Sequence, residues 1–247
     1  MADSSGGGTN SKELSKKEER QQRILDAAGE LFQKWGYRKT TLADIAKQAR
    51  VAKGTIYLYW KTREELLMAL MNREEARMLA DVEQRMQDDP DGWTLPGMIK
   101  HSMLASLKNP WMKAVLLQDS EVLGELASYE YRKTTYQTSI QGYLALLTFL
   151  RERGLIRAEV DLRQQIFVLT AVAWGFMVIR PLMPEEFQFS DEESVEIMAS
   201  TLKRVLEPDN SPSDEERRAG GKAFEAFVHQ IAELFQQNGS EAEAEPS

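Results

Sequence analysis

Helix-start patterns constrain the fold of this chain more than any other feature of its sequence. At five predicted helix starts a Ser, Thr or Asp is followed three residues later by an acidic or amide side chain, the pattern of an N-terminal capping box. These boxes begin at Thr41, Thr62, Asp161, Ser190 and Ser213. Apolar residues recur at helical spacing after them, and no segment shows the alternation of a half-buried strand. The sequence therefore predicts an all-α protein.

The stretch Thr41–Trp60 predicts two short helices joined by a tight turn. The second helix, predicted over Lys53–Trp60, opens with a cation, a glycine and a hydroxyl, and two tyrosines follow. This composition suits DNA, because small residues let the backbone approach the bases while helix amides, Lys and Tyr hydroxyls can bind phosphates. The same two helices are also compatible with an ordinary helical hairpin in a bundle.

Charge is distributed unevenly along the chain. The whole sequence contains 31 Lys and Arg against 39 Asp and Glu, a net charge of −8. Residues 12–63 contain 13 basic and 6 acidic side chains, a net of +7, and the remainder has 18 basic and 33 acidic side chains, a net of −15. A basic module on an acidic remainder localises the attraction for phosphate to that module.

The sequence offers little for catalysis or metal binding. It has no cysteine, and its two histidines, His101 and His229, belong to no metal-ligand motif. No acid/base pair, nucleophile or phosphate-binding loop is visible, so we predict no enzyme, no cofactor and no metal site. The N-terminal residues lack the apolar core of a signal peptide, and the most apolar run, Ile166–Ile179, is too short to span a bilayer. We therefore predict a cytoplasmic protein with no membrane contact.

The residues from about Arg20 to Leu70 resemble the TetR family of transcriptional regulators. They contain the motifs ILDAA, LF and GY, then TT and IA, and then KGT-Y followed by Lys, at the family's spacing. The resemblance implies a fold of two parts: an N-terminal trihelical helix-turn-helix head on a larger all-helical ligand-binding and dimerisation domain. It also implies a homodimer, formed in this family by the last two main helices.

With this resemblance the patterning divides the chain into five predicted regions. They are a disordered tail over residues 1–12, the helix-turn-helix head over 13–62 with its recognition motif at about 41–60, the helical domain over 63–207, an extra C-terminal helix over 208–237 and a disordered acidic tail over 238–247. The extra helix goes beyond the usual plan of the family. It is compatible with packing over the helical domain or with extending the dimer interface.

The resemblance implies a role in DNA binding for nine residues. They are Thr40, Thr41, Lys53, Gly54, Thr55, Tyr57, Tyr59, Lys61 and Arg63. The two adjacent threonines would lie near a phosphate and the next three residues in the major groove. The first tyrosine would bond the DNA backbone, the second a base or phosphate, and the last two cations the phosphates. The alternatives are that the tyrosines pack within the protein and that the cations are only solvated.

Two residues in the predicted turn depart from the family pattern. Arg50 stands where the family usually has glycine, and a non-glycine residue in the left-handed conformation costs about 1 kcal/mol or more. Ala52 stands where serine is frequent, and the loss of a capping hydroxyl costs about 0.5–2 kcal/mol. Both changes weaken the turn without removing a predicted DNA contact.

The helical domain is expected to hold a ligand and a dimer interface. Eight apolar or aromatic residues are candidates for a pocket that suits an apolar or aromatic molecule: Met103, Leu107, Trp111, Tyr136, Tyr143, Phe149, Phe167 and Trp174. The alternative is that they are ordinary core residues. Five further residues are candidates for the dimer interface: Val178, Val195, Met198, Leu202 and Val205. The apolar helix Ile166–Ile179 is expected to be covered on most sides.

These observations favour a homodimeric, sequence-specific DNA-binding transcriptional regulator, a repressor that a small-molecule ligand releases from a double-stranded DNA operator. One alternative is a DNA binder of the same fold that acts without an effector. Another is a helical small-molecule-binding or interaction scaffold that has lost DNA binding, which Arg50 and Ala52 keep open.

Overall fold

The chain is helical over most of the residues that the computed structural model describes, which are 7–209, 213, 215–216, 218–224 and 226. The α-helices up to residue 206 are α1 (Gly7–Trp35), α2 (Leu42–Gln48), α3 (Lys53–Tyr57), α4 (Arg63–Asp88), α5 (Leu95–Lys108), α6 (Pro110–Leu117), α7 (Ser120–Leu123), α8 (Tyr129–Glu152), α9 (Leu162–Ile179) and α10 (Asp191–Leu206). Short 3-10 turns cover Gly124–Ala127, Arg180–Leu182 and Glu185–Phe187. These described residues include no strand, and the predicted all-α class is confirmed.

Side-chain caps form at the helix starts that the sequence predicts. At Thr41 and Ser190 the hydroxyl accepts the backbone N–H three residues on, and the acid there accepts the N–H of the cap residue. Ser213 makes the same reciprocal pair before the C-terminal helical residues. Thr62 and Asp161 accept backbone N–H groups of the first turns of α4 and α9. The capping patterns therefore predicted where these segments begin.

The first helix is longer than predicted. It begins at Gly7 rather than at about Lys16, and the disordered tail over residues 1–12 stays a prediction. Residues 1–6 lie outside the described part of the chain.

The contacts divide the chain into two units, which we call the N-terminal unit and the body unit. The N-terminal unit comprises residues up to Met71 together with Ser120–Glu125, and the body unit comprises Asn72–Asp119 and the chain from Leu126 onward. Helix α4 therefore runs from one unit into the other, and the N-terminal unit extends beyond the predicted head of 13–62. Local sequence patterns do not reveal the return of the chain at 120–125, since this segment follows a long stretch of the body unit.

A small apolar core holds the helices of the N-terminal unit together. Phe32, Ile45 and Ile56 are fully buried, and Trp60 is nearly so, whereas Val51 is half-buried. Burial of each large apolar side chain contributes about 1.5–3 kcal/mol. The short helix α3 is therefore anchored by the side chain of Ile56 within it and by that of Trp60 after it.

The body unit has its own core, formed chiefly by α5, α8, α9, α10 and the second half of α4. Helix α10 packs along α5, and α9 contacts both α8 and α10. Fully buried residues come from four of these helices: Met86, Met98, Leu147, Leu150 and Leu202. The core is continuous, as expected for one helical domain.

The described part of the C-terminal segment packs on the body unit, one of the two arrangements that the sequence left open. Phe224 is buried in the core, and the backbone of Gly221 lies against the ring of Trp93. A Cβ atom on Gly221 would lie 2.3 Å from Cε3 of Trp93, so only glycine permits this approach. Residues 227–247, which include most of the apolar face of the predicted extra helix and the acidic tail, lie outside the described residues.

Helix α9 is apolar but mostly uncovered. It has 18 residues, and only 22% of them are buried, so the expectation that neighbours cover it on most sides is wrong for the described protomer. Ile166 and Met177 face the core, whereas Phe167 and Val178 are 74% and 60% exposed. With a mean hydropathy of 1.5, it is the one helix among the described residues whose length and composition would allow it to cross a bilayer. The predicted apolar run was shorter because it omitted the first turn of the helix.

Candidate nucleic-acid interface

The turn between α2 and α3 is a Schellman motif. The N–H of Val51 donates to the carbonyl of Ala46 at 3.0 Å, and that of Arg50 to the carbonyl of Lys47 at 3.2 Å. Arg50 has a φ of 55°, in the left-handed region where a non-glycine residue costs about 1–2 kcal/mol. Ala52, the N-cap of α3, makes no side-chain capping bond. The turn therefore has the expected geometry without the two residue types that would stabilise it best.

Helix α3 presents an exposed face formed by Lys53, Gly54, Tyr57 and, at its C-cap, Leu58. A Cβ atom added to Gly54 would meet no atom within 4 Å. Glycine in a helix costs about 0.5–1 kcal/mol relative to alanine, and no neighbour within this distance requires it here. The ammonium group of Lys53 lies 5.7 Å from the ring centroid of Tyr57. The face thus combines cationic and aromatic groups with room for a close approach.

Helix α3 ends at Tyr57 rather than at Trp60 as predicted. The N–H groups of Tyr59 and Trp60 both donate to the carbonyl of Ile56, at 2.9 Å and 3.0 Å, which closes the chain into a turn. The half-buried ring of Tyr59 lies 5.5 Å from that of Trp60 between centroids. Tyr59 therefore packs in part within the protein, and its DNA contact stays a prediction, as does that of the half-buried Thr55.

The two threonines before α2 have different roles. Thr40 is fully buried, and its hydroxyl lies 2.8 Å from the carbonyl oxygen of Gly36, so the predicted phosphate contact of its side chain is wrong. Thr41 is exposed, but its hydroxyl donates to Oδ2 of Asp44 at 2.6 Å and accepts the N–H of Asp44 at 3.2 Å. The carboxylate of Asp44 accepts hydrogen bonds from the hydroxyl and the backbone N–H of Thr41, and these bonds lower its pKa. Thr41 is thus the cap of α2, and its contact with a phosphate stays a prediction.

Arg63 braces the N-terminal unit from within. Its guanidinium donates to the carbonyls of Tyr37 and Thr40 at 3.0 Å and 2.9 Å, and its Cζ lies 3.9 Å from the ring centroid of Tyr37. Both bonds come from Nη1, so Arg63 has a structural role that the sequence did not predict, and its contact with a phosphate stays a prediction. A guanidinium that is already held by two carbonyls has little freedom to turn toward DNA.

The ring of Tyr37 extends this internal network. Its hydroxyl donates to Oε1 of Glu64, and its backbone N–H donates to the carbonyl of Glu121 at 2.7 Å. Burial and the hydrogen bond to Glu64 raise the pKa of Tyr37 to about 12. Burial also raises the pKa of Glu64. The hydrogen bond from Tyr37, a backbone hydrogen bond at Glu64 and the charge of Arg63 together outweigh burial, so the pKa of Glu64 is lowered. Segment 120–125 is joined to the N-terminal unit at this point.

Exposed cations surround the recognition turn. Lys61 is exposed before α4, and its backbone N–H donates to Glu65 at 2.6 Å. Lys47 and Arg50 are exposed at the end of α2 and in the turn. Unlike Arg63, these side chains project into solvent, which suits contact with phosphates.

Leu58 is a residue of this surface that the sequence did not single out. It is 77% exposed, beside the residues predicted to reach the major groove. The sequence feature that could have identified it is its position four residues after Gly54, which places both residues on the same side of a helix. Its apolar type concealed it, because leucine at helical spacing ordinarily indicates core.

The residues predicted to line a ligand pocket lie in several environments of the body unit. Leu107 and Trp111 are buried, and Met103 and Tyr143 pack against the body core with part of their surface exposed. Phe167 is wrong as a pocket residue, because it faces outward from α9. The four inner residues stay candidates.

The remaining pocket candidates lie elsewhere. Phe149 lines an open groove of about 730 Å³ between α8 and the C-terminal segment, with Cζ of Arg153 at 4.6 Å from its ring centroid. Trp174 is half-buried on α9, and the side chain of Tyr136 lies outside the described part. Within that described part, no group of three His, Asp or Glu side chains could hold a metal ion.

Three of the five predicted dimer residues are wrong. Val195, Met198 and Leu202 are fully buried, because the apolar stripe of α10 packs against α5 of the same protomer. Val178 and Val205 stay exposed. The stripe therefore identified the inner face of α10 rather than a surface.

A family model supports the interpretation of this geometry. The model described as bacterial regulatory proteins of the tetR family matches residues 24–70, which include α2, the turn and α3. Over these residues the chain is similar to the TetR family. The resemblance stated from the motifs is thereby confirmed.

Known relatives of this chain align over part of their length. The fatty acid metabolism regulator protein of Bacillus subtilis is 37% identical over 76 residues, which cover 31% of this chain and 37% of that protein. QacR of Staphylococcus aureus is 42% identical over 55 residues, 22% of this chain and 29% of that protein. The chain thus aligns with about a third of the length of these relatives.

Solved structures extend the likeness beyond the family match. SmeT, from Stenotrophomonas maltophilia, has a TM-score of 0.56 at 19% identity, covering 77% of this chain and 91% of SmeT. FadR from Bacillus subtilis has a TM-score of 0.53 at 22% identity, covering 73% and 96%. At these identities the likeness concerns the fold, and it includes residues of the body unit.

Proposed function

We propose that this TetR-family chain is a homodimeric, sequence-specific DNA-binding transcriptional regulator that represses by occupying an operator. The exposed face of α3 is the observation that carries this proposal. It offers Lys53 and Tyr57 beside the open space at Gly54, on a helix anchored by the buried Ile56 and Trp60. A regulator of this kind acts in the cytoplasm.

In this proposal, the face of α3 enters the major groove. Gly54 lets the backbone approach the base edges, Lys53 contacts bases or phosphates near the helix start, and Tyr57 donates to the DNA backbone. Thr41 and Lys61 flank the groove at the starts of α2 and α4, where they meet phosphates. The net charge of +7 over residues 12–63 supplies the long-range attraction.

The uncovered face of α9 supports a homodimer. Exposed apolar side chains such as Phe167 and Val178 need either a bilayer or a protein to cover them. Helix α10, which contacts α9, exposes the charged residues Glu196, Lys203 and Arg204, and a bilayer disfavours such groups. A second copy of the chain is therefore the better cover. A dimer would also present two recognition helices to half-sites about 34–36 Å apart.

We further propose that a small apolar or aromatic molecule binds in the body unit and releases the operator. Two proteins of the same fold form complexes with small molecules: SmeT with triclosan, and FadR from Bacillus subtilis with stearoyl-CoA. In this chain, Met103 and Tyr143 are partly buried against the body core, where an apolar molecule would contact them. The molecule would have to bind the released state more tightly than the DNA-bound state. Helix α4 and segment 120–125 are the parts of the chain through which this preference would reach the N-terminal unit.

Selection of bound DNA from a random pool tests the DNA-binding proposal. We expect the full chain to enrich a two-fold symmetric site and Lys53→Ala to shift the preferred bases. If no sequence is enriched even at low salt, the scaffold without DNA binding becomes the better function, as the left-handed Arg50 and the uncapped Ala52 allow. If the enriched site is never released by apolar or aromatic compounds, the chain is a DNA binder without an effector.

Light scattering of the purified chain tests the dimer. We expect the mass of a dimer for the native chain and of a monomer for Val178→Glu, because a charge on the uncovered face of α9 cannot be buried in a dimer. Val115→Glu, at an exposed valine on α6, is the matched control and should stay dimeric. A native chain that is monomeric at micromolar concentration, or a dimeric Val178→Glu variant, would contradict this interface.

A further inference from the structure

Leu58 departs from the pattern of burial in the N-terminal unit. Its side chain is 77% exposed, whereas the other leucines and isoleucines with described side chains in this unit are buried or half-buried. A leucine in this position obtains little from the protein core. Its exposed surface is therefore available to another molecule.

The position of Leu58 is well defined by its neighbours. It is the C-cap of α3, with φ −71° and ψ −19°, and its N–H donates to the carbonyl of Thr55 at 3.3 Å. The residues two before and two after it, Ile56 and Trp60, are buried and hold the backbone in place. Because Gly54 precedes Leu58 by four residues, both lie on one side of the helix. Leu58 thus faces the same way as the glycine that leaves room for a close approach.

Chemistry limits what this side chain can recognise on DNA. An aliphatic side chain cannot hydrogen-bond a phosphate or a base edge, and the apolar group that base pairs present in the major groove is the 5-methyl of thymine. Resting on the proposed DNA-binding function, we infer that Leu58 reads the 5-methyl group of a thymine in each half-site. Leu58 is then a residue that determines sequence preference. The operator contains a thymine at the base pair next to the one that the backbone of Gly54 approaches.

Replacement of thymidine by deoxyuridine tests this inference, since their bases differ only in the 5-methyl group. The operator selected by the full chain is synthesised with each thymine replaced in turn, and the Kd is measured by fluorescence anisotropy for the native chain and for Leu58→Ala. At one thymine per half-site we expect replacement to weaken native binding about fourfold, the effect of removing one buried methyl group. Leu58→Ala should bind the thymine operator more weakly and should no longer distinguish thymine from uridine there.

The outcomes separate this inference from the function on which it rests. If the native chain enriches no DNA, the proposed function fails. If the native chain binds its operator but every uridine replacement is neutral, or if Leu58→Ala keeps the full uridine penalty, the inference is overturned and the function stands. Leu117→Ala, at an exposed leucine on α6, is the matched control and should change neither the Kd nor the uridine penalty. Circular dichroism of Leu58→Ala checks that the exposed substitution leaves the helices intact.

Discussion

Two helical glycines in this protein have opposite surroundings. At Gly221 an added Cβ atom would lie 2.3 Å from the ring of Trp93, whereas at Gly54 it would meet no atom within 4 Å. Glycine carries a similar penalty in either helix, about 0.5–1 kcal/mol relative to alanine. At Gly221 the close packing of the C-terminal segment on Trp93 offsets this penalty. At Gly54 nothing within the described chain does so.

The difference shows how a structural residue can be told from a binding residue without reference to relatives. A residue that breaks a local rule and is compensated by a contact inside the protein serves the fold. One that breaks the rule without such compensation has to be explained by a molecule outside the chain. Leu58 belongs with Gly54 on this criterion, since an exposed leucine is also uncompensated.

Gly221→Ala should have the largest effect on stability. The indole of Trp93 must move to admit the new methyl group, and overpacking of this kind costs about 1–3 kcal/mol. Urea denaturation followed by circular dichroism should therefore show a lower free energy of unfolding. Smaller side chains at position 93 provide the control, because Gly221→Ala should cost less in a Trp93→Leu background than in the native chain. An unchanged stability of Gly221→Ala would mean that the segment does not press on Trp93 in solution.

The two cations at the start of α4 repeat this contrast in charged side chains. Arg63→Met removes the donors to two backbone carbonyls and should lower the free energy of unfolding by about 1–2 kcal/mol, since water replaces part of the lost bonding. Lys61→Met is the matched control. It should leave stability unchanged but lower the slope of log Kd against log salt for operator binding by about one. Equal stabilities of the two variants would contradict the bracing role of Arg63.

Helix positions and the recognition motif could be predicted from the sequence because they depend on local patterns. Caps at Thr41 and Ser190, and the left-handed geometry that Arg50 would adopt, involve residues a few positions apart. Within the candidate DNA-binding surface, Lys53, Gly54 and Tyr57 are exposed, and their contacts with DNA stay predictions.

The errors have a common physical origin in contacts between distant parts of the chain. Thr40 is a polar residue next to the candidate DNA-binding motif, but a carbonyl of the same unit binds it first. The stripe of α10 marks an inner face, and periodicity alone cannot distinguish cover by α5 from cover by a second copy. Segment 120–125 joins the N-terminal unit through a backbone bond to Tyr37, which no local pattern signals.

Tyr37→Phe should have a smaller effect, and its size should depend on pH. Loss of the hydrogen bond to Glu64 should lower the free energy of unfolding by about 0.5–1.5 kcal/mol near neutral pH. The lowered pKa of Glu64 stabilises the native fold above the ordinary value of 4.5 and ceases to do so as pH falls through the folded value. The raised pKa of Tyr37 stabilises it below the ordinary value of 10.0, and this contribution disappears as pH rises through about 12.

The stability difference between the native chain and Tyr37→Phe should therefore be constant between about pH 5 and pH 9 and shrink on both sides. Denaturant titrations across this range measure it. Tyr59→Phe is the control. Its difference in stability from the native chain should not shrink at acid pH, because Glu64 still accepts the hydrogen bond from Tyr37. A difference for Tyr37→Phe that is flat from pH 3 to pH 11 would contradict the coupling of Tyr37 to Glu64.

Gly54→Ala should have the smallest effect on stability and the opposite sign to the others. A methyl group at this open position should raise the free energy of unfolding by about 0.5–1 kcal/mol, because alanine loses less backbone entropy in a helix. The same methyl group occupies the space into which the bases are proposed to come, so operator affinity should fall severalfold while the fold becomes more stable. Denaturation and anisotropy on one protein sample measure the two quantities. A loss of stability would show that the fold itself needs this glycine, and an unchanged affinity would remove α3 from close contact with DNA. Gly54 is assigned to DNA binding only if Gly54→Ala raises stability and lowers operator affinity. Gly221, in contrast, serves packing within the protein.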